Sequence, residues 1–481
     1  MKKNTISTTI LVIALFAGVF SQAQSKKWTL LECVEYAIKN NISIQQTDLE
    51  NQTAAVEKIA AIGNFLPTVN ADASHSWNVG LNQNITTGLL QNQNIQFTSA
   101  RLNSNVSLYN GLQNQNRLRR ANLSIIAAQY QLSKIKDDVS LNVANAFLQI
   151  LFNKENIKVQ KEQVAITKKQ LQRSEELVNS GVAPRGDLLD IKATLATNNQ
   201  SLVIAENALT ISKLSLAQLL QLDDFQEFDI VENGDDVSES AVMLQSPAAI
   251  FEKAKEVRVE LKIAKTNVDI AERDIKIAKG AYQPSLQGFY SFSTRAGSSE
   301  QFVGRILDST NPNVIIGTVE GTNQNVLQPN FVPVFGKAAP VFDQFNTNKG
   351  HSYGLQLNVP ILNGLTVRNN VARSKIALAR SKISYSQQEL DLERNVYTAF
   401  TDANGAINAY ESAVVALSAR SEAYNYAKEK YTVGLMNAFD LNQSQTLFVN
   451  AQSEVLRTKY DYIFRVKVIE FYFGIPITQK Q

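Results

Sequence analysis

Residues 112–180 contain no glycine and no proline. At about 1.5 Å of rise per residue, an unbroken helix over this stretch would run roughly 100 Å. Apolar residues recur along it by sevens, at Val143, Ile150, Ile157, Val164, Leu171 and Val178. Beyond Gly181 the spacing resumes at Leu188, Leu195, Leu202, Leu209 and Leu216. A strict seven keeps one stripe facing a partner along a left-handed supercoil. The short break at the glycine returns the chain antiparallel, so the sequence predicts a long helical hairpin. Its apolar stripe is narrow, and such a hairpin buries too little alone; further helices, from other subunits, should flank it.

The second half of the chain repeats the first. NVANAF (142–147) recurs as NVYTAF (395–400), and VSLYNGL (106–112) as VPILNGL (359–365), both 253 residues on. Gly434 and Asp440 stand at the same offset from Gly181 and Asp187. The heptads recur at Val396, Ala403, Tyr410, Leu417, Tyr424 and Tyr431, then at Leu441, Phe448, Val455, Tyr462 and Ile469. Upstream, GNFLP (63–67) matches GAYQP (280–284) at an offset of 217, so the second half carries 36 extra residues between its proline and its Asn-Gly. The expected organisation is a signal peptide at 1–23, repeat 1 at 24–221, an acidic inter-repeat segment at 222–246 and repeat 2 at 247–481. Each repeat should open with a helical run, over 28–62 and 247–279.

The variable-length part of each repeat reads as sheet. Val69, Ala71, Ala73, His75 and Trp77 alternate with polar residues in Thr68–Val79, as do Ala100, Leu102, Val106 and Leu108 in Ala100–Leu108. Leu286, Gly288, Tyr290 and Phe292 do the same in repeat 2, followed by Tyr353, Leu355, Leu357, Val359 and Ile361. Four strands of about ten residues, apolar on one face and polar on the other, suit a transmembrane barrel with a wet lumen; an amphipathic sheet over a soluble core is the alternative. Four strands cannot close around a lumen, so a barrel needs several chains. Trp77, Tyr290, Phe292 and Tyr353 would serve as interfacial aromatics. The segments 80–96 and 296–350 read as strand-to-strand connections.

The N-terminus supports export. A basic MKKN, an apolar ILVIALFAGVF too short to span a bilayer and a small-residue site ending at Ala23 form a secretory signal. No later run of 18 apolar residues offers a membrane helix. Forty-seven basic against 44 acidic residues, interspersed along the helical runs, give no case for a nucleic-acid partner. The single cysteine, Cys33, excludes an internal disulfide and reads as a small buried apolar group. His75 and His351 lie on or beside strands, and no metal cluster, nucleophile–base pair or phosphate loop appears. Neither an enzyme nor a cofactor is expected.

WTLLECVEYAIKNN near the mature start, the doubled Gly-x-x-x-Pro, the doubled Asn-Gly and VGLMNAFDL at a hairpin tip resemble the TolC family of outer-membrane efflux ducts. The resemblance implies an α+β membrane protein: a homotrimer in which each chain gives four transmembrane β-strands to a 12-stranded barrel and its coiled-coil hairpins to a 12-helix periplasmic tunnel. It also implies outer-membrane lipid around the barrel, and a periplasmic adaptor and an inner-membrane pump as partners. A secreted structural coiled-coil protein without a pore is the competing class.

By the same resemblance, the two tips contact the adaptor through Gly181, Val182 and Ala183 and through Gly434, Leu435 and Met436. A plainer role for both glycines is to stop a helix in a left-handed conformation. Asp187 and Tyr431 match residues that close the family's tunnel, and Asp440 matches one of two acidic entrance positions. Met436 stands where the family has an arginine, and Gln443 where it has the second acid; Arg185 and Asp190 are candidate substitutes. Asp187 and Asp440 also each open a helix, where a carboxylate can cap free N–H groups.

Overall fold

The computed structural model describes residues 27–83, 88, 90–224, 226–232 and 240–477. The expected signal peptide lies outside the described residues, as do positions 225 and 233–239 of the inter-repeat segment.

Helices occur in pairs of equal length. α1 (Leu30–Asn40) and α5 (Pro247–Val257) have 11 residues each, and α2 (Ile42–Gly63) and α6 (Val259–Gly280) have 22. α3 (Gln113–Asn179) and α8 (Thr366–Thr432) have 67, while α4 (Arg185–Leu220) and α9 (Ala438–Phe473) have 36. A 67-residue helix runs about 100 Å. A short α7 (Val341–Thr347) has no counterpart among the described residues of the first half.

The single helical runs expected over 28–62 and 247–279 are each split. Asn41 and Arg258 adopt extended backbone between the paired helices. The Asn41 carboxamide accepts from the Ser43 N–H at 2.9 Å and donates to the Leu219 carbonyl at 3.0 Å. A short polar side chain can thus end one helix and start the next. At the equivalent break Arg258 is buried, its guanidinium 3.8 Å from the Phe471 ring centre and 2.8 Å from Glu260.

The described chain forms two compact units. The helical unit takes residues 27–55, 123–271 and 377–477. Every heptad residue named above within it is buried or half-buried, none exposed. Cys33, Val34, Val143, Ile150, Leu216, Leu220 and Ile230 form one core, in which burial pushes the Cys33 thiol up to about 12. Val242, Ile250, Leu261, Val396 and Ile469 form a second. Burying each such aliphatic side chain stabilises by about 1.5–3 kcal/mol. Within 222–246 lies β4 (Asp229–Ile230), parallel to β1 (Lys27–Trp28).

Charge ties that segment down. The Lys154 ammonium lies 2.7 Å from Asp229 and 3.2 Å from Glu232, Lys213 lies 2.9 Å from Asp229, and Lys158 lies 2.8 Å from Glu232. Burial pushes the Asp229 carboxyl up, but the Lys154 and Lys213 ammonium groups paired with it outweigh that and hold it below its ordinary value. A depressed folded value means stability present above about pH 4 and lost as pH falls through the folded value. Lys154→Met removes part of that depression, so acid unfolding followed by circular dichroism should begin at a higher pH than in the native protein.

The second unit takes residues 56–122 and 272–376. Its antiparallel sheet has the order β10-β5-β3-β2, formed by β2 (Thr68–Gln83), β3 (Leu90–Asn110), β5 (Ser285–Gly297) and β10 (Gly350–Asn358). β2 and β3 run to 16 and 21 residues, longer than the ten expected. Strand register puts Trp77, Tyr290, Phe292 and Tyr353 on one face but at two levels. Tyr290 and Tyr353 pair across strands on the row of Val69, whereas Trp77 lies eight residues further along β2, roughly 26 Å at strand rise. His75 stacks edge-on against Trp77 at 4.3 Å, and His351 bonds the Tyr290 hydroxyl at 2.9 Å. The 296–350 connection is structured rather than plain loop. β6 (Gln301–Leu307) pairs with β9 (Phe331–Gly336), and β7 (Asn313–Thr318) with β8 (Asn325–Pro329). Gln344 on α7 pins it to β5, donating to the Gly297 carbonyl and accepting from its N–H, both at 3.0 Å.

Candidate functional site: the hairpin tips

Both helical hairpins turn in five residues, Ser180–Pro184 and Val433–Asn437. Gly181 (φ +74°) and Gly434 (φ +77°) take the left-handed conformation, which other residues adopt at a cost of about 1–2 kcal/mol. The next residue donates back into the helix just ended, Val182 to Leu177 at 2.9 Å and Leu435 to Lys430 at 2.8 Å. A Cβ on either glycine would meet nothing within 4 Å. Backbone conformation, not crowding, therefore accounts for the glycines within one chain.

The candidate contact residues divide into two kinds. Gly181, Gly434, Val182 (74% exposed) and Leu435 (78%) face solvent, so each turn presents a naked aliphatic side chain just past its glycine, and the second turn adds Val433 (70%). Ala183 is half-buried, and Met436 packs against the tip core of Tyr424, Ala427 and Leu441. Where the family has a charged residue, this chain tucks a thioether inward.

The carboxylates do not cap. Asn437 is the N-cap of α9, its carboxamide oxygen accepting from the Asp440 N–H at 2.8 Å. Pro184 opens α4 with no side-chain cap. Asp187 and Asp440 sit in the first turns, where their charge meets the helix dipole. Among the candidates, Asp187 lies within electrostatic reach of Tyr431. Tyr431 is half-buried, and its hydroxyl pKa is raised first by burial and next by the Asp187 charge, with Arg173 opposing. Arg185, Asp190 and Asp440 are exposed and join no ion pair among the described residues.

Arg173 escapes a reading centred on the turns. Its guanidinium donates to the Thr432 carbonyl at 3.4 Å, linking the first hairpin to the last residue of α8. Behind it lies a polar layer. Gln170 donates to Gln445 at 2.8 Å, Asn198 to Thr167 at 2.9 Å, Gln445 to Thr167 at 3.4 Å and Asn442 to Thr194 at 3.3 Å. Thr167, Ser174 and Gln445 are almost wholly buried, yet Ser174 Oγ has no partner. The signal was present in the sequence: Asn153, Gln160, Thr167 and Ser174 are themselves spaced by sevens, a polar stripe beside the apolar one. Hydrogen bonds thus replace apolar burial where the hairpins meet near their ends.

Two-fold repeated helical hairpins with a polar seam at their tips, together with an open amphipathic four-stranded sheet, define the subunit class of an outer-membrane duct. The chain belongs to the outer membrane efflux protein family, whose profile matches residues 34–221 and 250–467. It is 21% identical to the outer membrane protein TolC of Escherichia coli over 461 residues, covering 94% of this chain and 83% of that one. To TolC of Vibrio cholerae it is 20% identical over 349 residues, covering 70% and 68%. The fold is similar to that of the Campylobacter jejuni CmeC outer membrane channel, with a TM-score of 0.74 at 16% identity over 94% of this chain and 87% of that one. The protein is an efflux channel of the outer membrane, not an enzyme, which sets aside the pore-less coiled-coil alternative.

Proposed function

We propose that three copies close into a passive exit duct, with a 12-stranded barrel and a 12-helix tunnel, whose tips dock a periplasmic adaptor fed by an inner-membrane pump. The observation that carries this reading is a set of unmet surfaces. Among the described residues β2 and β10 are the sheet's edges, each paired with one neighbouring strand, and an open edge in a bilayer leaves backbone groups unsatisfied at several kcal/mol apiece. The helices repeat the pattern. Ile376, Ile383, Leu390 and Tyr397 form a heptad stripe on α8 that is 43–70% exposed, and Leu49, Val56 and Ile59 are exposed on α2. Neighbouring copies cover all of these at once.

Val182 and Leu435 are the apolar contacts we assign to the adaptor, with Gly181 and Gly434 leaving room beside them. Asp187, Tyr431 and Arg173 form the closure within a chain. Three-fold symmetry turns Asp187, Asp190 and Asp440 into rings of carboxylates that attract cations, with Arg185 close by in sequence as their counter-charge. Tyr431→Phe and Asp187→Ala, measured as single-channel conductance in planar bilayers, should each raise conductance severalfold. Arg173→Ala should do the same by releasing Thr432. Unchanged conductance in all three variants would remove the tip from the role of gate.

A further inference from the structure

We infer that the connection between β5 and β10 is an assembly element: with its copies in two neighbouring chains it stacks into a collar of β-ribbons over the outer mouth of the duct. The proposal rests on the oligomeric duct described above and adds a contact surface outside the sheet.

The connection is built, not slack. Over 301–336 it forms one ribbon, β6 on β9 at the base and β7 on β8 beyond. A joint at Asp308 and Asn330 fastens the two ladders together. The Asp308 N–H donates to the Asn330 carbonyl at 2.8 Å, and the Asn330 N–H to the Pro312 carbonyl at 2.9 Å. The Asp308 carboxylate accepts from the Thr310 and Asn311 N–H groups at 2.9 and 3.2 Å and from the Asn330 carboxamide at 3.2 Å. At the root, the Thr294 hydroxyl donates to the Phe345 carbonyl at 2.8 Å and the Ser298 N–H to the Gln96 carbonyl at 3.0 Å. Repeat 1 has six residues, 84–89, between β2 and β3, so each copy carries one such ribbon.

Both faces of the ribbon are apolar and bare. Residues opposite one another in a ladder share a face, and successive residues alternate. Leu307 and Phe331 lie on one face, Ile306 and Val332 on the other. Further out, Ile315 and Leu327 share one face, Val314 and Val326 the opposite one. Twelve large apolar residues of 301–336 are 36–67% exposed. At about 150 Å² per side chain they leave roughly 900 Å² uncovered. That exceeds the about 300–600 Å² of a typical monomer's largest patch and matches the about 800 Å² each partner gives to a stable interface. A two-stranded ribbon by itself is marginally stable.

The occupant follows from the two faces. An element lying on lipid keeps a polar, basic face toward water, and this ribbon has neither a polar face nor any basic residue besides Arg305. A cyclic assembly gives every copy a neighbour on each side, through a head-to-tail contact of unlike surfaces. One face of each ribbon therefore meets the opposite face of the next. The strand ends that carry the ribbon are those that do not lead into the long helices, so the collar stands at the far end of the duct from the tips.

Single cysteines on the full-length protein test it, with Cys33 buried and giving no background. Phe331→Cys and Val332→Cys, on opposite faces, should each react with a membrane-impermeant maleimide on intact cells at least tenfold more slowly than Thr322→Cys at the ribbon's tip. A short bis-maleimide, added to isolated outer membranes, should leave each single variant uncross-linked and convert Phe331→Cys/Val332→Cys to covalent dimers and trimers. One fast face would mean a ribbon lying on lipid, and two fast faces a bare ribbon. Slow labelling without cross-linking of the double variant would mean a cover of another kind. Each of these results overturns the collar while a trimer by light scattering leaves the duct intact, and a monomer in the native protein overturns the duct itself.

Discussion

Gly111→Ala is expected to abolish accumulation of the heat-modifiable trimer in the outer membrane. The new Cβ would overlap the Gly280 carbonyl, a backbone group that cannot rotate away, at a residue whose φ of +65° already disfavours a side chain. Overpacking costs about 1–3 kcal/mol and the left-handed backbone another 1–2 kcal/mol, a sum of the order of half a domain's net stability. Gly405→Ala is the contrasting variant. Gly405 lies within α8 with nothing within 4 Å of its Cβ position, so alanine there should leave the trimer intact and stabilise it by about 0.5–1 kcal/mol. Immunoblots of unboiled and boiled membranes read both outcomes. Normal trimer from Gly111→Ala would mean that the two backbones do not touch.

Leu390→Glu is expected to leave the detergent-solubilised protein monomeric. Leu390 is 60% exposed in one chain, as are its heptad neighbours Ile383 (70%) and Ile376 (58%). For a protein that works as a single chain, a glutamate there would be harmless. At a seam it removes about 1.5–3 kcal/mol of apolar burial and buries a carboxylate without a partner, a penalty of several kcal/mol, three times over. Leu390→Met keeps the volume and the apolar character, and should retain the trimer. Light scattering on the solubilised proteins separates the cases, and a trimeric Leu390→Glu would place the seam elsewhere.

Much of the architecture was open to reading because its signals are periodic. The absence of glycine and proline over 112–180 corresponds to a helix of 67 residues, and the sevens at Val143, Ile150 and Val396 name side chains that lie in the cores. The twos along β2 and β10 order residues onto faces before any contact is known. Isolated polar choices were harder. The splits at Asn41 and Arg258 depend on what those side chains find around them, the Leu219 carbonyl in one case and the Phe471 ring and Glu260 in the other.

The tips divide the same way. Gly181 and Gly434 announce turns because few other residues tolerate φ near +75°. That Asn437 caps while Asp440 does not, that Met436 turns inward, and that Arg173 reaches Thr432 follow from side-chain directions that no spacing encodes. By itself, then, the sequence determined the repeat, the helix and strand periods and the apolar faces, because these are local consequences of residue order. Only the tertiary structure decided which faces are met within one chain and which are left bare. Gly111 against Gly280 is met, and Gly63 and Gly364 are not. The reason is physical: contact is a property of distance in space, and two stretches with the same local conformation can differ wholly in what lies opposite them.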